Sequence, residues 1–118
     1  MRTNFNMQDD NITMVIGDTL SFNVFVTDRE GNPVMVDSAA FTCKKVINDA
    51  AGIFQKNLED GITQDDTGMI TVRVAPEDTA SLYAGLYFYD MEIGVDDDVF
   101  TLLRGVLTLE QDITTNAS

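Results

Sequence analysis

The run from Pro76 to Ile93, PEDTASLYAGLYFYDMEI, admits few folds, because it sets a helical turn, a reversal and a half-buried strand in immediate succession. Pro76 pre-sets φ for a first helical residue, and Glu77 and Asp78 favour the positive end of the turn that follows. Gly85 supplies the backbone freedom for a sharp reversal. Beyond it, Tyr87, Tyr89, Met91 and Ile93 alternate with Phe88, Asp90 and Glu92, the period of a strand with one buried face.

Strand signals recur at regular spacing on both sides of this corner. Ile12 to Ile16 is a short strand closed by Gly17-Asp18. Thr19 to Asp28 puts Leu20, Phe22, Val24 and Val26 on a buried face and Ser21, Asn23, Phe25 and Thr27 on the other. Arg29 to Pro33 is a tip, and Pro33, with no N–H to give a ladder, leaves Val34 to Val36 as an edge segment at best. Ala39 to Ile47 carries Phe41, Cys43 and Ile47 in one phase. Lys45 shares that phase and marks the end of the buried face or a bulge.

Asn48 to Gly52 turns the chain, Ile53 to Leu58 makes a short strand, Glu59-Asp60-Gly61 turns it again, and Gln64 to Gly68 reads as a further polar turn. Met69 to Ala75 points Ile70, Val72 and Val74 inward. Val95 to Asp98 is a hairpin tip, and Val99 to Glu110 is a long final strand in which Gly105 signals a bulge or a close backbone approach. The expected fold is all-β: an immunoglobulin-like antiparallel β-sandwich of about seven strands, with one short helical turn before the sixth. In that fold a corner tyrosine two residues before the usual cysteine ties its hydroxyl to the backbone upstream. Tyr87 holds the corner position and Tyr89 the cysteine's place, with Gly85 as the hinge of the corner. Residues 12–110 form the sandwich, and the polar segments 1–11 and 111–118 are expected to be arms.

A chain of 118 residues has room for one domain, and its 44% apolar content supplies one modest core. Twenty acids against seven bases leave a net charge of −13, which repels phosphate backbones and anionic lipid, so neither nucleic acid nor membrane is an expected partner. No apolar run approaches the ~18 residues of a membrane span. MRTNFNMQDD lacks the apolar core of a signal peptide, so the expected site of synthesis is a cytoplasm. Cys43 is the only cysteine, which makes an internal disulfide impossible and a buried thiol the expectation.

No catalytic constellation stands out. The chain has no histidine to activate a thiol or hydroxyl, no glycine-rich phosphate loop, and no carboxylate pair singled out by spacing, so no catalytic or cofactor-binding residue is assigned. Asp96, Asp97 and Asp98 cluster at one tip and are weak calcium candidates, since calcium takes six to eight oxygens. Asp28 to Asn32 lacks the length and terminal glutamate of an EF-hand loop. Apolar residues in outward phase are more telling. Phe25 and Phe88 are candidate contacts with a partner or with a loop of the same domain, and Phe5, Met7 and Ile113 in the arms dock on a neighbour or fold back. A surface-binding alternative uses the loop acids, calcium and aromatics such as Tyr83 and Phe88 to hold carbohydrate.

The segments ITMVIGDTLSFNVFVTDREGNPV, AAFTCKKV, GMITVRVAPEDTASLYAGLYFYDMEI and VFTLLRGVLTLEQDIT together resemble a family of small phage and prophage proteins whose best-defined group is the immunoglobulin-like N-terminal domain of the phage baseplate upper protein. The likeness runs from about Ile12 to Thr114. Its most specific elements are Gly17-Asp18, the Asp28 to Pro33 tip, Pro76-Glu77-Asp78-Thr79 before Ala84-Gly85-Leu86-Tyr87, and Thr101-Leu102-Leu103. The resemblance implies a non-enzymatic virion subunit, assembled in the bacterial host, with other virion proteins and further copies of itself as partners. A free-standing chain of this kind is expected to be a tail or baseplate accessory, a connector or a decoration protein.

Overall fold

The alternation that predicts strands also fixes which side of each faces the core. A computed structural model describes residues 8–9, 11–46 and 52–111. Its strands are β1 (Gln8–Asp9), β2 (Ile12–Val15), β3 (Leu20–Phe25), β4 (Ser38–Lys44), β5 (Phe54–Asn57), β6 (Ile62–Gln64), β7 (Met69–Val74), β8 (Gly85–Val95) and β9 (Asp98–Glu110). One helical turn, α1 (Pro76–Thr79), precedes β8. The strands form a six-stranded sheet in the order β1-β9-β8-β4-β5, with β2 also on β9, and a three-stranded sheet in the order β3-β7-β6. An opening strand parallel to the last one, antiparallel β4-β8-β9 beside it and β3-β7-β6 opposite make this an immunoglobulin-like sandwich, with β5 added at one edge.

Two strands go beyond the expected seven, and each has a local reason. Gln8–Asp9 falls in the expected N-terminal arm, yet it pairs with β9 in the same register as β2: Gln8 lies opposite Leu103 and Ile12 opposite Leu107. Asn11 sits between them, and its Oδ1 accepts the Val106 N–H at 3.2 Å. β6 is only three residues long, too short to show a period, so Gln64 ends a strand where the sequence reads as a turn. Its side chain closes a further gap. Gln64 accepts the Val36 N–H at 3.0 Å and donates to the Val36 carbonyl at 2.9 Å, which satisfies the backbone of an irregular segment whose Val34 and Val36 are buried. Val34 to Val36 is therefore an irregular segment, with Val34 and Val36 buried and Met35 exposed, and not a strand.

The bulge in β9 also lies elsewhere than expected. Leu103 faces Met91 and Thr101 faces Glu92, which makes Leu102 the extra residue and turns it inward. Gly105 keeps regular pairing with Tyr89. Lys45 marks the end of the buried face, as its phase suggested, and is exposed.

The core centres on Phe41, whose ring lies 5.7 Å from Phe22 on β3 and 5.3 Å from Tyr89 on β8, with Phe54 at 6.2 Å. In disulfide-bearing relatives of this fold, a buried aromatic on the third main strand packs on a bridge between the sheets. Here the rings of Phe22, Phe41 and Tyr89 span that gap. Cys43 is fully buried on the same strand, and burial pushes its thiol up to about 12.

Candidate protein-interaction surface

The corner that opens β8 is built as its residues imply. Gly85 adopts φ +145°, and the Tyr87 hydroxyl donates to the Tyr83 carbonyl at 2.7 Å. Lys45 completes the corner from the neighbouring strand: its Nζ lies 4.5 Å from the centre of the Tyr87 ring and donates to the Leu86 carbonyl at 3.1 Å. At the last residue of α1, the buried Thr79 hydroxyl accepts the Gly17 N–H at 2.9 Å and fixes the β2–β3 turn. Tyr87→Phe keeps the ring and removes one half-buried hydrogen bond, leaving the Tyr83 carbonyl without its protein partner. The expected loss is about 1–2 kcal/mol in a urea titration, and an unchanged midpoint would show that the corner is held by packing alone.

This fixed corner presents the outer face of the large sheet. Lys44, Phe88 and Val106 lie opposite one another across three strands, and Thr42, Asp90 and Arg104 form the next row. An open depression lies between them, with the backbone of Tyr89 and Gly105 also in its lining. Leu86, 58% exposed, and Val99, 68% exposed, continue the face toward its two ends. Lys44 and Arg104 balance Asp90 and Glu92 on this face, although the chain as a whole carries −13.

The residues singled out in the sequence separate on the structure. Phe88 is half-buried on the outer face of the large sheet, whereas Phe25, 63% exposed, ends β3 on the small sheet, so the two do not form one patch. Tyr83 projects from the corner, and Tyr89 is committed to the core. Phe5, Met7 and Ile113 lie outside the described residues, as does the Asn48 turn.

The acids serve turns. Asp96 and Asp97 take φ of +51° and +73° as the two central residues of the β8–β9 hairpin, and the Asp96 N–H donates to Asp37 at 2.9 Å. The Asn32 backbone N–H bonded to Asp28, and the Thr67 hydroxyl bonded to Asp65, lead the interactions that hold these two carboxyls below the usual range. Among the described residues no group of three or more acids, cysteines or histidines converges as a metal site, and Asp96, Asp97 and Asp98 belong to none. One pairing escaped the sequence: Lys56 on β5 turns inward to Asp78 on α1 at 2.7 Å.

No family model and no curated protein matches the chain. Among solved structures it is similar to the extracellular domains of the voltage-gated sodium channel beta4 subunit, described as parallel homodimers that explain a role in cell–cell adhesion. The identity is 10%, over 96% of this chain and 99% of that one, with a TM-score of 0.47. It is also similar to the Ig1-2 module of the Drosophila receptor protein tyrosine phosphatase DLAR, at 16% identity over 99% of this chain and 50% of that one, TM-score 0.41. An endo-fucoidan hydrolase from glycoside hydrolase family 107 matches at 21% identity over 84% of this chain but only 15% of its own length, TM-score 0.41. These are likenesses of fold at low identity.

Proposed function

We propose that this chain is a non-enzymatic structural protein of a phage or prophage particle, a tail or baseplate adaptor, accessory subunit or decoration protein, that works through protein–protein contacts. The observation that carries the reading is the outer face of the large sheet. It joins exposed Leu86 and Val99 to Phe88 and Val106, and its charges balance on a chain of net charge −13. Such a face loses little by desolvation and meets no net repulsion from an acidic neighbour, whereas the rest of the surface is suited to water. The strands behind it are tied by the Tyr87 corner, so the face is rigid and docks at low ordering cost. The segment likeness to the baseplate family adds the setting, and catalysis has no support in the described side chains.

Density-gradient fractionation of particles released from the bacterium that encodes the chain tests this reading, with the protein followed by antibody. The expected result is co-migration with intact particles, and loss of the particle-bound fraction for Leu86→Asp/Phe88→Asp while circular dichroism and melting temperature stay near wild type. Protein found only at the top of the gradient, or a folded double variant incorporated as well as wild type, would overturn it.

A further inference from the structure

The small sheet has an edge of unusual character. Among the described residues β3 pairs only with β7, so its other side is open. Val26 N–H donates to the Gly68 carbonyl, in line with the β3–β7 register. The alternation of an antiparallel ladder therefore turns the backbone N–H and C=O groups of Ser21, Asn23 and Phe25 toward the open side. Soluble proteins guard such edges with charges, proline or bulges. From Thr19 to Thr27 this chain places none of them: the run TLSFNVFVT contains no charged residue, no proline and no glycine. The opposite edge of the same sheet, β6, is three residues long and followed by Asp65 and Asp66.

We infer that β3 is a self-association edge, at which two copies pair antiparallel about a two-fold axis through Asn23 and join their three-stranded sheets into one continuous six-stranded sheet. The inference deepens the contact reading above and rests on it. A second copy is the occupant for two reasons. A chain of net charge −13 repels its own kind over most of its surface, and the uncharged β3 edge lets identical strands approach. An antiparallel two-fold pairing is also self-complementary, since every outward N–H meets an outward C=O of the identical strand.

The register follows from the side chains. With Asn23 opposite Asn23, Ser21 lies opposite Phe25 on the outer face, so the ring that is 63% exposed in one copy covers the small side chain of the other. The inward faces then run on from Phe22 to the partner's Val24 across the junction. Asn23 accepts the Thr71 hydroxyl at 2.9 Å, which holds its amide on the outer face with the N–H groups directed outward.

The test is cysteine cross-linking of the full chain with light scattering at near-millimolar concentration. Asn23→Cys is expected to give a disulfide-linked dimer under mild oxidation, because directly opposed residues of an antiparallel pair lie about 5.5 Å apart, within disulfide reach. Wild type stays uncross-linked under the same conditions, since Cys43 is fully buried, and Thr63→Cys on the β6 edge does likewise. Asn23→Lys sets two cations opposite each other and is expected to return the protein to monomer with its melting temperature near wild type. A dimer that Asn23→Lys leaves intact and Asn23→Cys does not cross-link overturns the β3 pairing while leaving contact through another face standing. A monomer at every concentration also overturns it, and gradient co-migration then decides the wider reading separately.

Discussion

Asp78→Asn is expected to lower the stability of the fold by about 3 kcal/mol, seen as a fall of about 10 °C in melting temperature. Lys56 reaches from β5 at the edge of the large sheet to Asp78 on the helical turn that follows the small sheet, 2.7 Å from Asp78 and 3.6 Å from Asp60. Its side chain is 7% exposed, so the ammonium depends on these carboxylates for what water no longer supplies. Asparagine keeps a carbonyl to accept the Ala75 N–H, now bound at 2.7 Å, and so preserves the helix start while removing the charge. Lys56→Met is expected to cost about 1 kcal/mol, and in the double variant, with no buried charge stranded, most of the loss from Asp78→Asn should return. A cycle in which the two losses simply add would show that the pair does not hold the sheets together.

The same pair sets an alkaline limit. Burial opposes the charge on Lys56, but the Asp78 hydrogen bond and the charges of Asp78 and Asp60 outweigh it and raise the pKa above the ordinary 10.5. A raised cationic pKa stabilises the fold fully below the unfolded value, and that stability is lost as pH rises through the folded one. Wild type should therefore keep this contribution up to about pH 10.5 and lose it above. In Asp78→Asn, where burial still lowers the pKa and only Asp60 raises it, this alkaline loss should shrink or vanish, as followed by urea midpoints across the alkaline range.

Phe41→Ala is expected to cost about 3–5 kcal/mol, against a total stability of about 5–15 kcal/mol for a domain of this kind. Phe41 is fully buried, and its ring is the common neighbour of Phe22, Phe54 and Tyr89, which makes it the link between the two sheets that a disulfide supplies in other members of the fold. Alanine leaves a void lined by three rings that are fixed to separate strands and cannot close together. Phe41→Leu, which fills most of that space, should cost about 1–2 kcal/mol. Equal losses for the two variants in urea titrations with unchanged slope would show that refilling the void restores nothing, and would overturn the cavity account.

Much of this was legible along the chain. Runs of period two located β3, β4, β7, β8 and β9, and the order proline, acids, glycine, tyrosine located the corner with the bond that Tyr87 makes. Phe25 was legible as exposed because its phase on β3 opposes that of Phe22 and Val24. Less was legible of the candidate surface. Phe88 and Val106 are eighteen residues apart in sequence, and their pairing with Lys44 depends on the β4–β8–β9 register, which no local pattern encodes. Lys56 reads as an ordinary surface lysine because its inward turn depends on a carboxylate twenty-two residues later.

The sequence by itself determined the fold class, the corner at Gly85 and Tyr87 and the absence of an internal disulfide, because each follows from backbone sterics, short periods or a count of residues. Only the tertiary structure decided that β1 and β2 close the large sheet beside β9, that Leu102 and not Gly105 forms the bulge, and that among the described residues β3 pairs on one side alone. Those outcomes depend on which strands meet. Strand pairing is settled by hydrogen bonds between segments far apart in the chain, where every strand offers the same backbone groups and only the packed whole selects among them.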